Sequence, residues 1–156
     1  MEVDNATVPS YSLLPSSSFP LLPLPLPLPL LSLPDVAVCG SDVFATCSRD
    51  KTVRVWREAI GSSGFSPGTI CLGHTSFVTT LAYVPAGVIP SLPTGALVSG
   101  SRDKRVVVWD PNTGVAHLDF GPSNGGHDLD VTAVAVLPSG NVVSGAMVRT
   151  ILTYVA

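Results

Sequence analysis

Gly73-His74-Thr75-Ser76-Phe77-Val78, an apolar run, Leu97-Val98-Ser99-Gly100-Ser101-Arg102-Asp103-Lys104 and then Val106-Val107-Val108-Trp109-Asp110 decide how this chain is read. The stretch opens on Gly-His and closes on Trp-Asp, with β-branched runs set between turn residues. Shifted back by 53 residues it recurs: Ser48-Arg49-Asp50-Lys51 falls on Ser101-Arg102-Asp103-Lys104, Val53 and Val55 fall on Val106 and Val108, and Trp56 falls on Trp109. Shifted forward by the same 53, Gly126-His127 falls on Gly73-His74 and Val131 on Val78. A fixed period carried by special residues marks a repeat, each copy being one unit that stacks on the next.

The unit resembles the WD40 repeat, whose four strands make one blade of a β-propeller. The fold class expected is therefore all-β: a propeller fragment with one complete blade and two partial blades. A period of 53 exceeds the ~40–45 usual for this repeat. Much of the excess lies in the Pro/Gly-rich residues 85–95 and in residues 58–68. Each signature residue has a mechanical role. Asp103 closes the turn between the second and third strands, because a carboxylate accepts hydrogen bonds from turn amides. His74, Ser99, Asp103 and Trp109 are expected to form one hydrogen-bonded chain, since a buried indole N–H and both imidazole nitrogens need partners. Asp50, Trp56 and His127 occupy the corresponding places in the flanking copies. The sharing of these positions between copies favours a structural role over a Ser-His-Asp hydrolase triad, and no G-x-S-x-G elbow is present.

Along the chain, residues 1–34 read as a low-complexity Pro/Leu/Ser segment, disordered or in polyproline II. From Pro9 to Pro34 every residue but Tyr11 is Pro, Leu, Ser or Phe, and Leu alternates with Pro from Leu22 to Leu30. Proline at every second position forbids a helix, which excludes a membrane span or a signal-peptide core here. Pro20-x-x-Pro23 matches an SH3 ligand but lacks a flanking Arg or Lys. Those four residue types share pyrimidine codons, so translated intron is a further reading of residues 9–34. Residues 35–145 read as a partial propeller. Strands are expected at 36–39, 43–47, 52–56 and 69–72, then 77–84, 96–100, 105–109 and 115–119, then 131–137 and 141–145. Residues 146–156 read as a divergent tail, because neither an Asp turn nor a Trp follows Gly145. Both ends look cut from a longer template.

Composition narrows the function. A net charge of −3 with 12% charged residues provides no basic field for nucleic acid. Cys39, Cys47 and Cys71 are odd in number and show no C-x-x-C spacing, so they read as buried reduced thiols in a cytosolic or nuclear protein. The sequon Asn5-Ala6-Thr7 has meaning only if the chain enters the secretory route. No nucleophile elbow, ligand cluster or phosphate loop suggests an enzyme, and no metal or cofactor is expected.

Ser48 to Trp56, Leu72 to Val78 and the Pro-rich loop before Ala96-Leu97-Val98-Ser99-Gly100 together resemble the N-terminal propeller of the phospholipase A-2-activating protein family, which is Doa1/Ufd3-like. The Met1-Glu2-Val3-Asp4 start is similar to its plant members, and the resemblance covers residues 35–145. It implies a non-catalytic seven-bladed propeller that binds ubiquitin, in ubiquitin homeostasis and proteasome-mediated protein catabolism in cytoplasm and nucleus. It also implies an AAA unfoldase partner, valosin-containing protein, held through a helical domain that these residues do not include. Candidate partner-binding residues are Phe77 and Asp130, three after each His, with Thr79 and Thr132 two further on. Packing between blades is the competing reading of Phe77, and the Ser-Arg-Asp-Lys charges read as solvated turns. The alternative function is a WD40 adaptor or substrate receptor for another complex. Trp109-Asp110-Pro111-Asn112 and Trp56-Arg57-Glu58 lack the final Arg of the Trp-Asp-x-Arg box that many such receptors carry. An open arc leaves the outer faces of its terminal blades uncovered, so the polypeptide alone is expected to be poorly soluble or partly unfolded.

Overall fold

The computed structural model describes residues 33–61, 63–147 and 150–154. The readings made for residues 1–32 lie outside the described residues. Among the described residues the chain is all-β, with eleven strands in three antiparallel sheets. The first sheet runs β1 (Asp35–Val38), β2 (Val43–Cys47), β3 (Val53–Glu58), β4 (Phe65–Cys71). The second runs β5 (Val78–Val84), β6 (Ala96–Ser101), β7 (Val106–Trp109), β8 (Ala116–Phe120). The third holds β9 (Val131–Val136), β10 (Val142–Ala146) and β11 (Thr150–Tyr154), with β10 in the middle.

The first unit has the four strands expected of it, β1 being short but paired along its whole length from Asp35↔Cys47 to Val38↔Phe44. Two features differ from the sequence reading. β4 begins at Phe65, within the stretch read as loop, and carries Pro67 opposite Trp56. Proline is tolerated because β4 is an edge strand and its register shifts there. Residues 146–156, read as a divergent tail, contribute β11, which pairs with β10 from Val142↔Tyr154 to Ala146↔Thr150. Ile151-Leu152-Thr153-Tyr154 suits a strand through β-branching and aromaticity, and it needs no signature residue to pair.

Strand alternation gives every sheet two sides, and the register makes them comparable between sheets. On one side, here the leading side, lie Thr46, Ser99 and Ser144 with their cross-strand neighbours Val36, Leu81 and Val134. On the trailing side lie Ala45, Val98 and Val143 with Ala37, Ala82 and Ala135. The trailing side of the first sheet (Ala37, Ala45, Cys47, Val53, Val55) packs on the leading side of the second (Leu81, Leu97, Val107, Trp109). The trailing side of the second (Val84, Ala96, Val98, Val106, Val108) packs on the leading side of the third (Val142, Tyr154). β6 and β7 are buried at every position, as expected of strands covered on both sides. The residue 85–95 loop is more than spacing, because its Ile89 and Leu92 are buried in the second seam.

Polar pegs tie the seams where first strands adjoin. The Leu81 amide donates to Asp35 Oδ2 at 2.9 Å, and one sheet later the Val134 amide donates to Thr80 Oγ1 at 3.3 Å. Asp35 and Thr80 hold the same place, opposite Cys47 and Gly100. Gly100 is required there. A Cβ on it would lie 2.6 Å from Val131 Cγ1 and 2.8 Å from Thr80 Cγ2.

Candidate partner-binding face

The two hairpin turns that the 53-residue shift superposes have the same wiring. Asp50 N donates to Ser48 Oγ at 3.1 Å, Asp50 Oδ1 accepts from Thr52 N at 3.0 Å, and Lys51 has φ 74°. Asp103 N donates to Ser101 Oγ at 3.1 Å, Asp103 Oδ1 accepts from Arg105 N at 3.0 Å, and Lys104 has φ 72°. In both turns the carboxylate ties down the amide that follows a left-handed lysine, a backbone state few non-glycine residues adopt.

In the second sheet Asp103 also reaches outward. Its Oδ2 lies 2.8 Å from His74 Nδ1 and accepts from the Thr75 amide at 2.8 Å. His74 Nε2 lies 2.7 Å from Ser99 Oγ, which accepts the Trp109 Nε1 hydrogen at 2.7 Å. With the imidazole hydrogen on Nδ1, the Ser99 hydroxyl donates to Nε2 and every polar atom is satisfied. Burial works to raise the Asp103 carboxyl, but the bond and charge of His74 and the amides of Thr75 and Arg105 outweigh it and hold it at about 2. Ser99 is fully buried, its hydrogen given to His74 and its oxygen accepting from Trp109, so this arrangement fixes strands.

The neighbouring copies are incomplete in different ways. In the first sheet Trp56 Nε1 donates to Thr46 Oγ1 at 2.9 Å, and Asp50 pairs with Arg54 Nη2 at 2.8 Å. In the third sheet His127 Nε2 lies 2.7 Å from Ser144 Oγ, whose hydroxyl meets that of Tyr154 at 3.4 Å. Tyr154 stands opposite Val142 as Trp109 stands opposite Leu97, so a tyrosine takes the tryptophan's place. The sequence reading missed it because the strand spacing shortens from 53 to 45 between these sheets. Among the described residues His127 Nδ1 has no partner, and in the sequence a valine, Val148, stands four after Ser144 where Asp103 stands four after Ser99. Burial lowers the His127 pKa, with the Asp128 charge opposing.

The other predicted residues gather at the hairpin-turn end of the first seam. Phe77 is 37% exposed and lies between two turns. The Arg49 guanidinium stands 5.9 Å from its ring centroid on one side and that of Arg102 5.6 Å on the other. Both distances suit cation–π attraction. Arg102 Nε also lies 3.7 Å from Asp130 Oδ2, joining Phe77 to the third copy's equivalent position. The arginines were read as solvated turn charges. They are exposed, yet they frame the aromatic, and their common 53-residue spacing was the signal available in the sequence. Thr79 is committed to the second seam, its hydroxyl hydrogen shared between Gly100 O at 3.0 Å and Val131 O at 2.5 Å. Thr132 bonds its own sheet's Gly145 O at 3.2 Å. The structure therefore brings Phe77 and Asp130 together with the two arginines, ties Thr79 into the second seam and leaves Thr132 exposed on the third sheet.

Away from this face the chemistry is quiet. Cys39, Cys47 and Cys71 are free thiols. Burial pushes Cys47 and Cys71 up to about 12 and Cys39 to about 11. Among the described residues no His, Cys, Asp or Glu group is placed to hold a metal, and no helix is long and apolar enough to cross a membrane.

Comparison with known proteins agrees with this geometry. The WD40 family model (WD domain, G-beta repeat) matches residues 35–57 and 65–110, so the chain carries WD40 repeats. The second match begins at β4 and ends after β7, so the sequence repeat straddles two sheets. Nuclear distribution protein PAC1 of Arthroderma otae is 34% identical over 76 residues, 48% of this chain and 16% of that protein. The probable cytosolic iron-sulfur protein assembly protein Ciao1 of Culex quinquefasciatus is 36% identical over 73 residues, 46% of this chain and 19% of that protein. Human transducin beta-like protein 3 is 28% identical over 124 residues, 69% of this chain and 14% of that protein. This chain thus spans less than a fifth of the curated relatives it matches. Among solved structures, the WD40 β-propeller domain of Doa1 is similar with a TM-score of 0.60 and 21% identity, covering 76% of this chain and 35% of that one.

Proposed function

We propose that these WD40 repeats form part of a non-catalytic scaffold that binds ubiquitin, in ubiquitin homeostasis and proteasome-mediated protein catabolism in cytoplasm and nucleus. The observation that carries a protein-binding role is Phe77, half-exposed between Arg49 and Arg102, with Asp130 completing the row. Aromatic and arginine side chains supply most binding hot spots, because they bury large area and lose little freedom when already held in place. Ubiquitin as the partner is supported by the resemblance of residues 48–56, 72–78 and 96–100 to the phospholipase A-2-activating protein family. The likeness in fold to the Doa1 propeller agrees with that resemblance.

The test is retention on immobilised ubiquitin of the propeller that contains these repeats, with Phe77→Ala and Asp130→Arg as probes. Retention that falls at least tenfold in both variants is the expected result. A propeller that ignores ubiquitin, or binds it equally well in both variants, overturns the proposal. Capture of a different partner through the same four residues would favour an adaptor role instead.

A further inference from the structure

We infer that the end of the first seam remote from the hairpin turns receives one acidic side chain, a glutamate or aspartate of a partner protein, with Arg57 as its counter-charge. The inference is independent of the ubiquitin reading, which rests on Phe77 at the other end. Both walls of the site belong to this chain. Cys39, Val43 and Arg57 stand on the trailing side of the first sheet, and Tyr83, Thr94 and Asn112 face them from the second sheet and its loops. The space between is about 210 Å³.

The second seam shows the same place filled by the chain itself. Cys39 and Val43 correspond to Val84 and Ala96, the pair that closes the β5–β6 ladder. There the loop of residues 85–95 folds inward, and its Ile89 and Leu92 are buried against Val84 and Ala96. The first sheet makes the corresponding connection in residues 39–42, where Cys39 N and Gly40 N donate to Val43 O at 2.9 and 3.1 Å. So tight a turn sends no side chain into the seam, and the space stays open.

A cation lines it. Arg57 and Asp110 each follow the signature tryptophan, so the first copy carries a positive group where the second carries a negative one. The Arg57 side chain crosses β4 at Gly68, where a built Cβ would lie 3.8 Å from Nε. Its Nη2 donates to Asn112 Oδ1 at 2.9 Å, and Asn112 Nδ2 donates to Thr94 Oγ1 at 2.8 Å. Neutral groups therefore hold the guanidinium, and among the described residues it makes no ion pair. Asp110 is committed to its own turn, accepting from Asn112 N at 2.9 Å and from Thr113 Oγ1 at 2.9 Å. Glu58 lies on the other side of β3. Cys39, its thiol pushed up by burial to about 11, adds no negative charge at neutral pH. A guanidinium preset in this way suits a carboxylate. One cation, in a space below the ~300–1,000 Å³ of small-molecule sites, fits a single acidic side chain and not a whole cofactor.

The experiment uses the propeller that contains these repeats and follows alkylation of Cys39, which lines the pocket, whereas Cys47 and Cys71 are buried. Rates with iodoacetate and iodoacetamide are compared by mass spectrometry at mildly alkaline pH. Both reagents meet the same thiolate, form the C–S bond and release iodide, so their ratio reports the pull on the reagent's carboxylate alone. The expected ratio exceeds that of glutathione at least tenfold, falls to it in Arg57→Gln and is kept in part by Arg57→Lys, with unchanged circular dichroism in both variants. The blocked pentapeptide Gly-Gly-Glu-Gly-Gly should slow iodoacetamide at Cys39 at least threefold, and its glutamine counterpart should not. A Cys39 that neither reagent reaches, a ratio indifferent to Arg57→Gln, or two peptides that act alike overturns the inference. Protection by acetate as strong as by the glutamate peptide overturns a partner protein as the source of the carboxylate.

Discussion

The second and third sheets descend from the same sequence pattern but are finished differently. Both place a histidine against a buried serine, and both carry a glycine directly after that serine. In the second, Asp103 anchors the histidine, an indole caps the serine and Val131 fills the space over Gly100. In the third, among the described residues, the histidine has one nitrogen without a partner, a tyrosine replaces the indole at longer range and nothing fills the space over the glycine. The signature is therefore a device for holding a sheet between two neighbours, and its value depends on how many of its members are present.

Five changes would break or sharpen that contrast. The largest is Trp109→Ala, which removes a fully buried indole and the Ser99 bond, and is expected to cost about 3–5 kcal/mol in urea unfolding. A shift under about 1 kcal/mol would show that the second sheet does not depend on its signature. Ser99→Ala strands both His74 Nε2 and Trp109 Nε1 and should cost about 3 kcal/mol, against roughly 1 kcal/mol for Ser144→Ala beside an already incomplete network. Equal losses would place the two sheets on one footing. Gly100→Ala should cost about 2 kcal/mol, because the new Cβ meets Val131. Gly145→Ala should stay within about 0.5 kcal/mol, because its Cβ meets nothing among the described residues.

Acid separates the sheets by the pH at which each loses stability. His127 has a lowered pKa, so the unfolded chain binds the proton more readily, and stability tied to it is present above 6.5 and declines as pH falls below that value. Asp103 is held at about 2 against 3.8, so its contribution persists through mild acid and is lost only as pH falls from 3.8 towards 2. Hydrogen exchange should therefore show β10 amides losing protection between neutral and mildly acidic pH while β6 amides keep theirs. Simultaneous loss would contradict the contrast.

Much of this was legible in the chain. The 53-residue shift located the paired turns, and the β-branched runs located most strands, because turn chemistry and strand preference act over a few residues. The His74-Ser99-Asp103-Trp109 set was readable because buried nitrogens must find partners. Tyr154 was hidden by the change in spacing, and the first half of β4 by a proline that an edge strand accommodates. The arginines around Phe77 were visible as repeats but not as its neighbours, since turns 53 residues apart meet only when two sheets stack.

By itself, then, the sequence determined the kind of unit, the order of its strands and the polar set that locks each one, all of them consequences of local backbone chemistry and hydrogen-bond need. Only the tertiary structure decided which side of each sheet is covered. Stacking fixed Thr79 as a tie across a seam, Gly100 as the seat of Val131 and Phe77 as a framed surface aromatic. Those outcomes depend on apolar area lost from water between sheets, a quantity that no single strand carries.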